Sequence, residues 1–134
     1  MIGKSVPRVD AYEKVTGRAK FTDDMILDKC LVAKVCHATI GNGIVKSIDT
    51  SEAEALDGVV KVVTFKDVPN HCYPTPGHPW SVELAHQDVA DRNLLTGRVR
   101  YYGDDIAAVV AEDEVTASRA LKLIKVEYLS LIHI

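Results

Sequence analysis

Histidine and cysteine side chains, which can bind metal ions or act in acid–base and nucleophilic chemistry, concentrate in one segment of this sequence. The segment contains His71, Cys72, His78 and His86. Zinc sites use such ligands, but usually in pairs separated by two to four residues that a second pair completes. The spacing here matches no zinc pattern. We therefore predict that the segment binds no metal and that its prolines, histidines and Trp80 pack against another surface.

Neighbouring acidic residues are the second candidate for chemistry. They occur at Asp23-Asp24, Asp104-Asp105 and Glu112-Asp113-Glu114. Two carboxyl groups can act as a general acid and a general base, but acidic residues beside a turn or at a helix start more often cap the backbone. We predict structural roles for all three groups.

Patterns that bind phosphate or activate a nucleophile are missing. Gly41-Asn42-Gly43 lacks the glycine spacing of phosphate-binding loops and is predicted to be a turn. No G-x-S-x-G element occurs, and Cys30, Cys36 and Cys72 form no C-x-x-C pair. An odd number of cysteines without such a pair favours reduced thiols in the cytoplasm. The residues alone therefore predict no catalytic, cofactor-binding or metal-binding residue.

Composition indicates one globular domain. The chain has 134 residues, of which 47% are hydrophobic and 26% charged, so it can bury a core. Its net charge is −3, and the basic residues are scattered, which predicts no nucleic-acid partner and no anionic membrane surface. No stretch approaches the 18 apolar residues of a membrane span, and the N-terminus lacks the apolar core of a secretory signal.

The pattern of apolar residues predicts an α+β fold with mixed sheets and two helices. Residues 1–14 are predicted to be an extended arm, and residues 69–91 a long irregular loop. Gly41-Asn42-Gly43 predicts a hairpin, and Asp49 with Glu52 predicts a helix start. Predicted strands cover residues 19–22, 30–40, 44–48, 59–65, 98–102, 106–111 and 125–128, and predicted helices cover 50–56 and 114–124.

The order strand–strand–helix–strand occurs at residues 30–65 and again at 98–128, which is consistent with a twofold pseudo-repeat. In the first strand, Leu31, Ala33 and Val35 are predicted to share a buried face and Lys34 to point the other way. The predicted core consists of Leu31, Val35, Val62, Val109, Val110, Leu121 and Ile124.

Two segments resemble a known protein family. The first extends from Ile2 to Asp24 and includes Arg8-Val9-Asp10 and Lys14-Val15-Thr16-Gly17. The second extends from Arg100 to Tyr128 and includes Gly103-Asp104-Asp105-Ile106. Both are similar to the opening domain of the molybdenum-binding subunit of xanthine dehydrogenases and aldehyde oxidases. Residues 75–80 and 91–96 most resemble the bacterial xanthine dehydrogenase branch, whereas residues 36–41 depart from the family's usual Ser-Pro segment.

The resemblance implies an α/β hammerhead fold for residues 1–128. It also implies a cytoplasmic parent enzyme that hydroxylates purines or aldehydes with a molybdenum–pterin cofactor, using iron–sulfur clusters and FAD in partner subunits or domains. No position here matches the family's pterin-binding residues or its catalytic glutamate. The domain is therefore expected to contact later domains of its own subunit and the iron–sulfur and FAD units. The alternative is a free-standing, non-catalytic protein-binding module.

The last six residues, Leu129-Ser130-Leu131-Ile132-His133-Ile134, can be encoded by CTG-TCT-CTT-ATA-CAC-ATC. That DNA is similar to the end of a transposon used to fragment DNA for sequencing. We therefore predict that residues 129–134 are a non-native scar and that the natural reading frame continues differently after Tyr128. The alternative is a native apolar strand.

Overall fold

The computed structural model describes residues 2–25, 29–74, 83, 85 and 89–132, which belong to two compact units, residues 1–30 and 31–134. The first unit contains helix α1 (Ala11–Val15) and a 3-10 turn (Thr22–Asp24). None of its described residues is buried. The prediction of an extended arm through residue 14 was wrong because α1 begins at Ala11. The prediction of a strand at 19–22 was wrong because Thr22 begins the 3-10 turn and the preceding residues form no strand.

Local polar contacts explain both differences in the first unit. Asp10 accepts hydrogen bonds from Arg8 Nε and, one helical turn later, from Lys14 Nζ at 2.5 Å. This i,i+4 ion pair supports a single turn of helix. Asp24 accepts the Phe21 backbone N–H at 2.9 Å, which closes the 3-10 turn.

The described residues of the second unit form eight short strands and two helices. Two of its sheets have three antiparallel strands, in the orders β1-β7-β3 and β6-β2-β8, and β4 pairs with β5 alone. The elements are β1 (Val32–His37), β2 (Gly43–Asp49), α2 (Ser51–Glu54), β3 (Val59–Thr64), β4 (Tyr73–Pro74), β5 (Ala90–Arg92), β6 (Arg98–Val99), β7 (Asp105–Ala111), α3 (Glu114–Leu123) and β8 (Lys125–Ser130).

The predicted repeat interlocks in the structure. Elements β1-β2-α2-β3 and β6-β7-α3-β8 have the same order, and each three-stranded sheet takes its outer strands from one copy and its central strand from the other. The hairpin predicted at Gly41-Asn42-Gly43 was therefore wrong, because β1 and β2 lie in different sheets. The reason is tertiary: β7 is apolar from Ile106 to Ala111, so a central position that buries these residues outweighs a local turn preference.

The helices begin where polar side chains reach backbone N–H groups. Asp113 caps α3, whose range agrees with the prediction, and accepts the Thr116 N–H at 2.9 Å. Helix α2 has Thr50 as its N-cap rather than the predicted Asp49, although Asp49 accepts the Ser51 N–H at 3.0 Å. With α1, the described residues contain three α-helices rather than the predicted two.

The core consists of two clusters. One lies where the two three-stranded sheets meet, and the other lies between the first sheet and helices α2 and α3. The buried members of the first are Ala38, Val45, Val99 and Ile106, and those of the second are Ala53, Val62, Val109 and Ala120. Val62 and Val109 are buried in the second cluster, as predicted. Leu121 and Ile124 are half-buried against the second cluster, and Val110 is half-buried outside both.

The face of β1 is the reverse of the prediction. Leu31 is 50% exposed and Val35 38% exposed, whereas Val32, Lys34 and Cys36 are half-buried. Lys34 faces α3, where its Nζ donates to Glu114 Oε1 at 2.8 Å and to Ser118 Oγ at 2.9 Å. The two polar partners on the helix allow the lysine to turn inward, and the alternation of the strand then turns Val35 outward.

Candidate functional surfaces

Two of the acidic pairs hold turns together. The side chain of Asp104 is buried and accepts the backbone N–H groups of Arg100 at 3.0 Å and Asp105 at 3.2 Å. Asp105 lies 2.9 Å from His37 Nδ1, where β1 ends and β7 begins. Asp24 closes the 3-10 turn in the same way. Each carboxylate described here is therefore engaged by the backbone or by a neighbouring side chain.

The third acidic group supports helix α3. The Thr116 hydroxyl, followed by its backbone N–H, lowers the pKa of Asp113 from its usual range. The hydrogen bond from Lys34 likewise lowers the pKa of Glu114. A general acid at neutral pH requires a raised carboxyl pKa. The pKa values of Asp113 and Glu114 are lowered instead, and a negative charge at these positions stabilises the start of the helix.

The segment that contains most of the histidines begins in the hairpin of β4 and β5. This hairpin corrects the prediction that residues 69–91 are irregular throughout, since Tyr73 pairs with Arg92. His71 and Cys72 are exposed, and Cys72 Sγ donates to Asn93 Oδ1 at 3.0 Å. His78, Trp80 and His86 lie outside the described residues. Among the described ones, no three histidine, cysteine, aspartate or glutamate side chains group to hold a metal ion.

A polar cleft of about 200 Å³ lies between this hairpin and the turn before β7. Three arginines line it, and each has a partner: Arg100 donates to Asp91 Oδ2 at 2.9 Å, Arg98 donates to the Gly43 carbonyl at 3.0 Å, and Arg92 contacts the Tyr101 hydroxyl. The contacts of Arg100 and Arg92 link the hairpin to the turn after β6, and the contact of Arg98 links β6 to β2. The lining residues are Asn70, Cys72, Asp91, Arg92, Asn93, Thr96, Arg98, Arg100 and Asp104.

The cysteines differ in accessibility. Cys30 and Cys72 are exposed, whereas Cys36 packs against the first core cluster. Burial raises the pKa of the Cys36 thiol, so this residue stays protonated at neutral pH. A protonated thiol is a poor nucleophile and a poor metal ligand. Cys36 therefore acts as a small apolar side chain in this fold.

Comparison with known proteins identifies the family to which this fold belongs. A sequence model described as "Aldehyde oxidase and xanthine dehydrogenase, a/b hammerhead domain" matches residues 16–131. The chain belongs to this family. The expected α/β hammerhead fold is confirmed by that match and by the small antiparallel sheets with three helices.

Two curated relatives bear the names of purine-oxidising enzymes. The chain is 44% identical over 124 residues to the putative xanthine dehydrogenase molybdenum-binding subunit XdhA of Escherichia coli K12, covering 92% of this chain and 16% of that protein. It is 38% identical over 128 residues to the probable hypoxanthine oxidase XdhD of Escherichia coli O157:H7, covering 96% of this chain and 13% of that protein. This hammerhead domain thus spans no more than about one sixth of either relative.

Solved structures agree with the family assignment. The aldehyde oxidoreductase of Desulfovibrio desulfuricans ATCC 27774 superimposes with a TM-score of 0.78 at 33% identity, over 96% of this chain and 14% of that one. The CO dehydrogenase of Oligotropha carboxidovorans gives a TM-score of 0.76 at 31% identity, over 96% of this chain and 15% of that one. In both, this fold is a small part of a much larger chain.

The polar cleft does not fit a molybdenum–pterin cofactor. Cofactor sites enclose roughly 300–1,000 Å³ and present polar groups that have no other partner. The polar cleft is smaller than this, and its arginines already bind protein oxygens. The expectation that the isolated chain binds no molybdenum, iron or zinc stays a prediction.

Proposed function

We propose that residues 1–128 are a structural domain of a molybdenum-binding subunit of the xanthine dehydrogenase type, and that the whole enzyme hydroxylates a purine or an aldehyde. The family match over residues 16–131 carries the proposal, because the matched relatives contain this domain within a far longer chain. When bound in the rest of such a subunit, the cofactor supplies the oxygen-transfer chemistry. This domain supplies a rigid surface for the parts that hold it.

The chemistry of the described residues supports a structural role. Their carboxylates cap turns and helices, Arg92 and Arg100 hold the β4–β5 hairpin, and the pKa of Cys36 is raised by burial. We further propose that the domain contacts the remaining domains of its subunit and the iron–sulfur and FAD units. We place the enzyme in the cytoplasm because the free cysteines favour a reducing compartment. Among the described residues, no helix is long and apolar enough to cross a bilayer.

The gene itself provides the first test. A genomic reading frame that continues after the codon of Tyr128 into several hundred further codons would support the proposal. A frame with its own stop codon after Ile134 would support the free-standing protein-binding module instead. It would also contradict the prediction that residues 129–134 are a scar.

The second test exchanges domains between relatives. Residues 2–128 would replace the matching segment of Escherichia coli XdhA, and xanthine oxidation and molybdenum content would be measured in the assembled enzyme. A structural domain should restore both, whereas the same exchange carrying Ile106→Asp, which disrupts the core, should restore neither. Elemental analysis of the isolated 134-residue chain is the matched control. Stoichiometric molybdenum, iron or zinc there would contradict a purely structural role.

A further inference from the structure

The first sheet has one face that no other described element of residues 31–134 covers. In an antiparallel sheet, residues directly opposite each other point to the same side. Val35, Ala108 and Val63 form one such row across the three strands, and Ala33 lies opposite Val110 in the next row. We call these five residues the open face. These residues are aliphatic, and Lys61, which also lies opposite Val110, marks the edge of the face on β3.

The opposite side of the same sheet is covered. Lys34 and Val62 share a row with Val109 and point toward helix α3, where Lys34 bonds Glu114 and Val109 packs beside Ala120. None of the five residues of the open face belongs to either core cluster. Ala33 is exposed, Val35 is 38% exposed, and the other three are half-buried.

Along β7, the side of the sheet that carries the open face is covered at one end and uncovered at the other. Ile106 lies on the same side of the strand as Ala108 and Val110 and is fully buried against Val45 and Val99 of the second sheet. Ala108 and Val110 continue the same side of the strand beyond that sheet. An aliphatic surface that extends directly from a buried core is typical of a face that another element covers.

We infer that the open face is the docking surface for an aliphatic helix or sheet face in the rest of the parent subunit. The inference rests on the proposed function. The relative XdhA is about six times as long as the segment it shares with this chain, so most of the polypeptide able to cover the face is tethered to it. Tethering makes docking intramolecular and raises the effective concentration of the partner surface. The aliphatic composition also suits a permanent contact, which resembles a domain core.

Cysteine labelling in the full-length subunit, expressed from the recovered reading frame, tests the inference. Val35→Cys is compared with Val115→Cys, a position on helix α3 that is 67% exposed. Both are also placed in the 134-residue chain, and peptide mass spectrometry measures how fast each reacts with a small maleimide. We expect Val35→Cys to react at least tenfold more slowly in the full subunit than in the short chain, and Val115→Cys to change less than twofold.

The outcomes separate the inference from the proposed function. A full subunit that contains molybdenum but leaves Val35→Cys as reactive as in the short chain overturns the inference alone, as does equal protection at both positions. Protection of Val35→Cys in the short chain itself, together with a dimer by light scattering, assigns the face to a second copy and also overturns it. A reading frame without further domains contradicts the proposed function and removes the inference with it.

Discussion

Gly43 is the position at which a single methyl group should report on the end of strand β8. It begins β2, opposite Ser130, and its φ is not positive, so alanine can adopt its backbone conformation. A Cβ atom at this position would lie 2.5 Å from the carbonyl oxygen of Leu129, where ordinary contacts begin at about 3.4 Å. It would also meet the terminal methyl of Ile40, which can move away by rotation.

The expected cost follows from these contacts. Forcing apart two backbones that are packed this closely costs about 1–3 kcal/mol. Alanine restricts the unfolded chain more than glycine does, which offsets about 0.4–1 kcal/mol of that cost. Gly43→Ala should therefore lower the free energy of unfolding of the 134-residue chain by about 1–2 kcal/mol. In a chain that ends at residue 128 the carbonyl is absent, and the same change should be close to neutral.

Urea unfolding followed by circular dichroism would measure the four free energies of this cycle. The difference between the two chain lengths is the coupling energy, and residues in contact typically show about 0.5–3 kcal/mol. Gly41→Ala is the control, because its Cβ would meet only the flexible end of Ile132, at 3.2 Å. If Gly43→Ala has the same effect in both lengths, Leu129 does not lie against β2 and the reasoning is refuted.

The other predictions concern the core, a helix cap, a thiol and the C-terminal tail. Ile106→Ala should lower the free energy of unfolding by about 2–5 kcal/mol, because Ile106 is fully buried, while Val115→Ala should change it little; urea unfolding decides. The folded-state pKa of Asp113 lies below its unfolded value, so the stabilising effect of this carboxylate is present above the unfolded pKa and is lost as pH falls through the folded pKa. The unfolding midpoint of Asp113→Asn should therefore decline less in acid than that of the wild type. Equal declines would argue against the cap. Cys36 should react with iodoacetamide at pH 8 more slowly than the two exposed cysteines, as peptide mass spectrometry would show, and faster reaction there would contradict its burial. Removing residues 129–134 should reduce light scattering at equal concentration, since a chain end rich in β-prone apolar residues promotes edge pairing, and unchanged scattering would exclude the tail as its cause.

The first two residues of the C-terminal tail continue strand β8. Leu129 and Ser130 pair with Ile44 and Gly43, and the family match extends to residue 131. Ladder hydrogen bonds are made by backbone atoms, so any sequence able to continue the strand can form them. The pairing is thus compatible with a native strand end and with a replaced one, and the non-native origin of residues 129–134 stays a prediction.

The sequence predicted the elements whose signals are local or continuous. Helix α3 was predictable from the spacing of Ala117, Ala120 and Leu121, and Ala117 and Ala120 are fully buried. The uninterrupted apolar run of β7 predicted a central strand, which is confirmed. The family resemblance, carried by residues 2–24 and 100–128, correctly gave the fold class and the family.

Tertiary structure decided which strands pair and which way each one faces. A glycine-rich turn predicts a hairpin from local geometry alone, but β1 and β2 are separated because each sheet needs a strand of the other repeat at its centre. The inward side of β1 depended on Glu114 and Ser118, which lie 80 and 84 residues away in sequence and make room for Lys34. The spacing of apolar and polar residues within β1 gives no information about partners so distant in the sequence. A strand with apolar residues on both sides is therefore oriented only when the elements that cover it are in place.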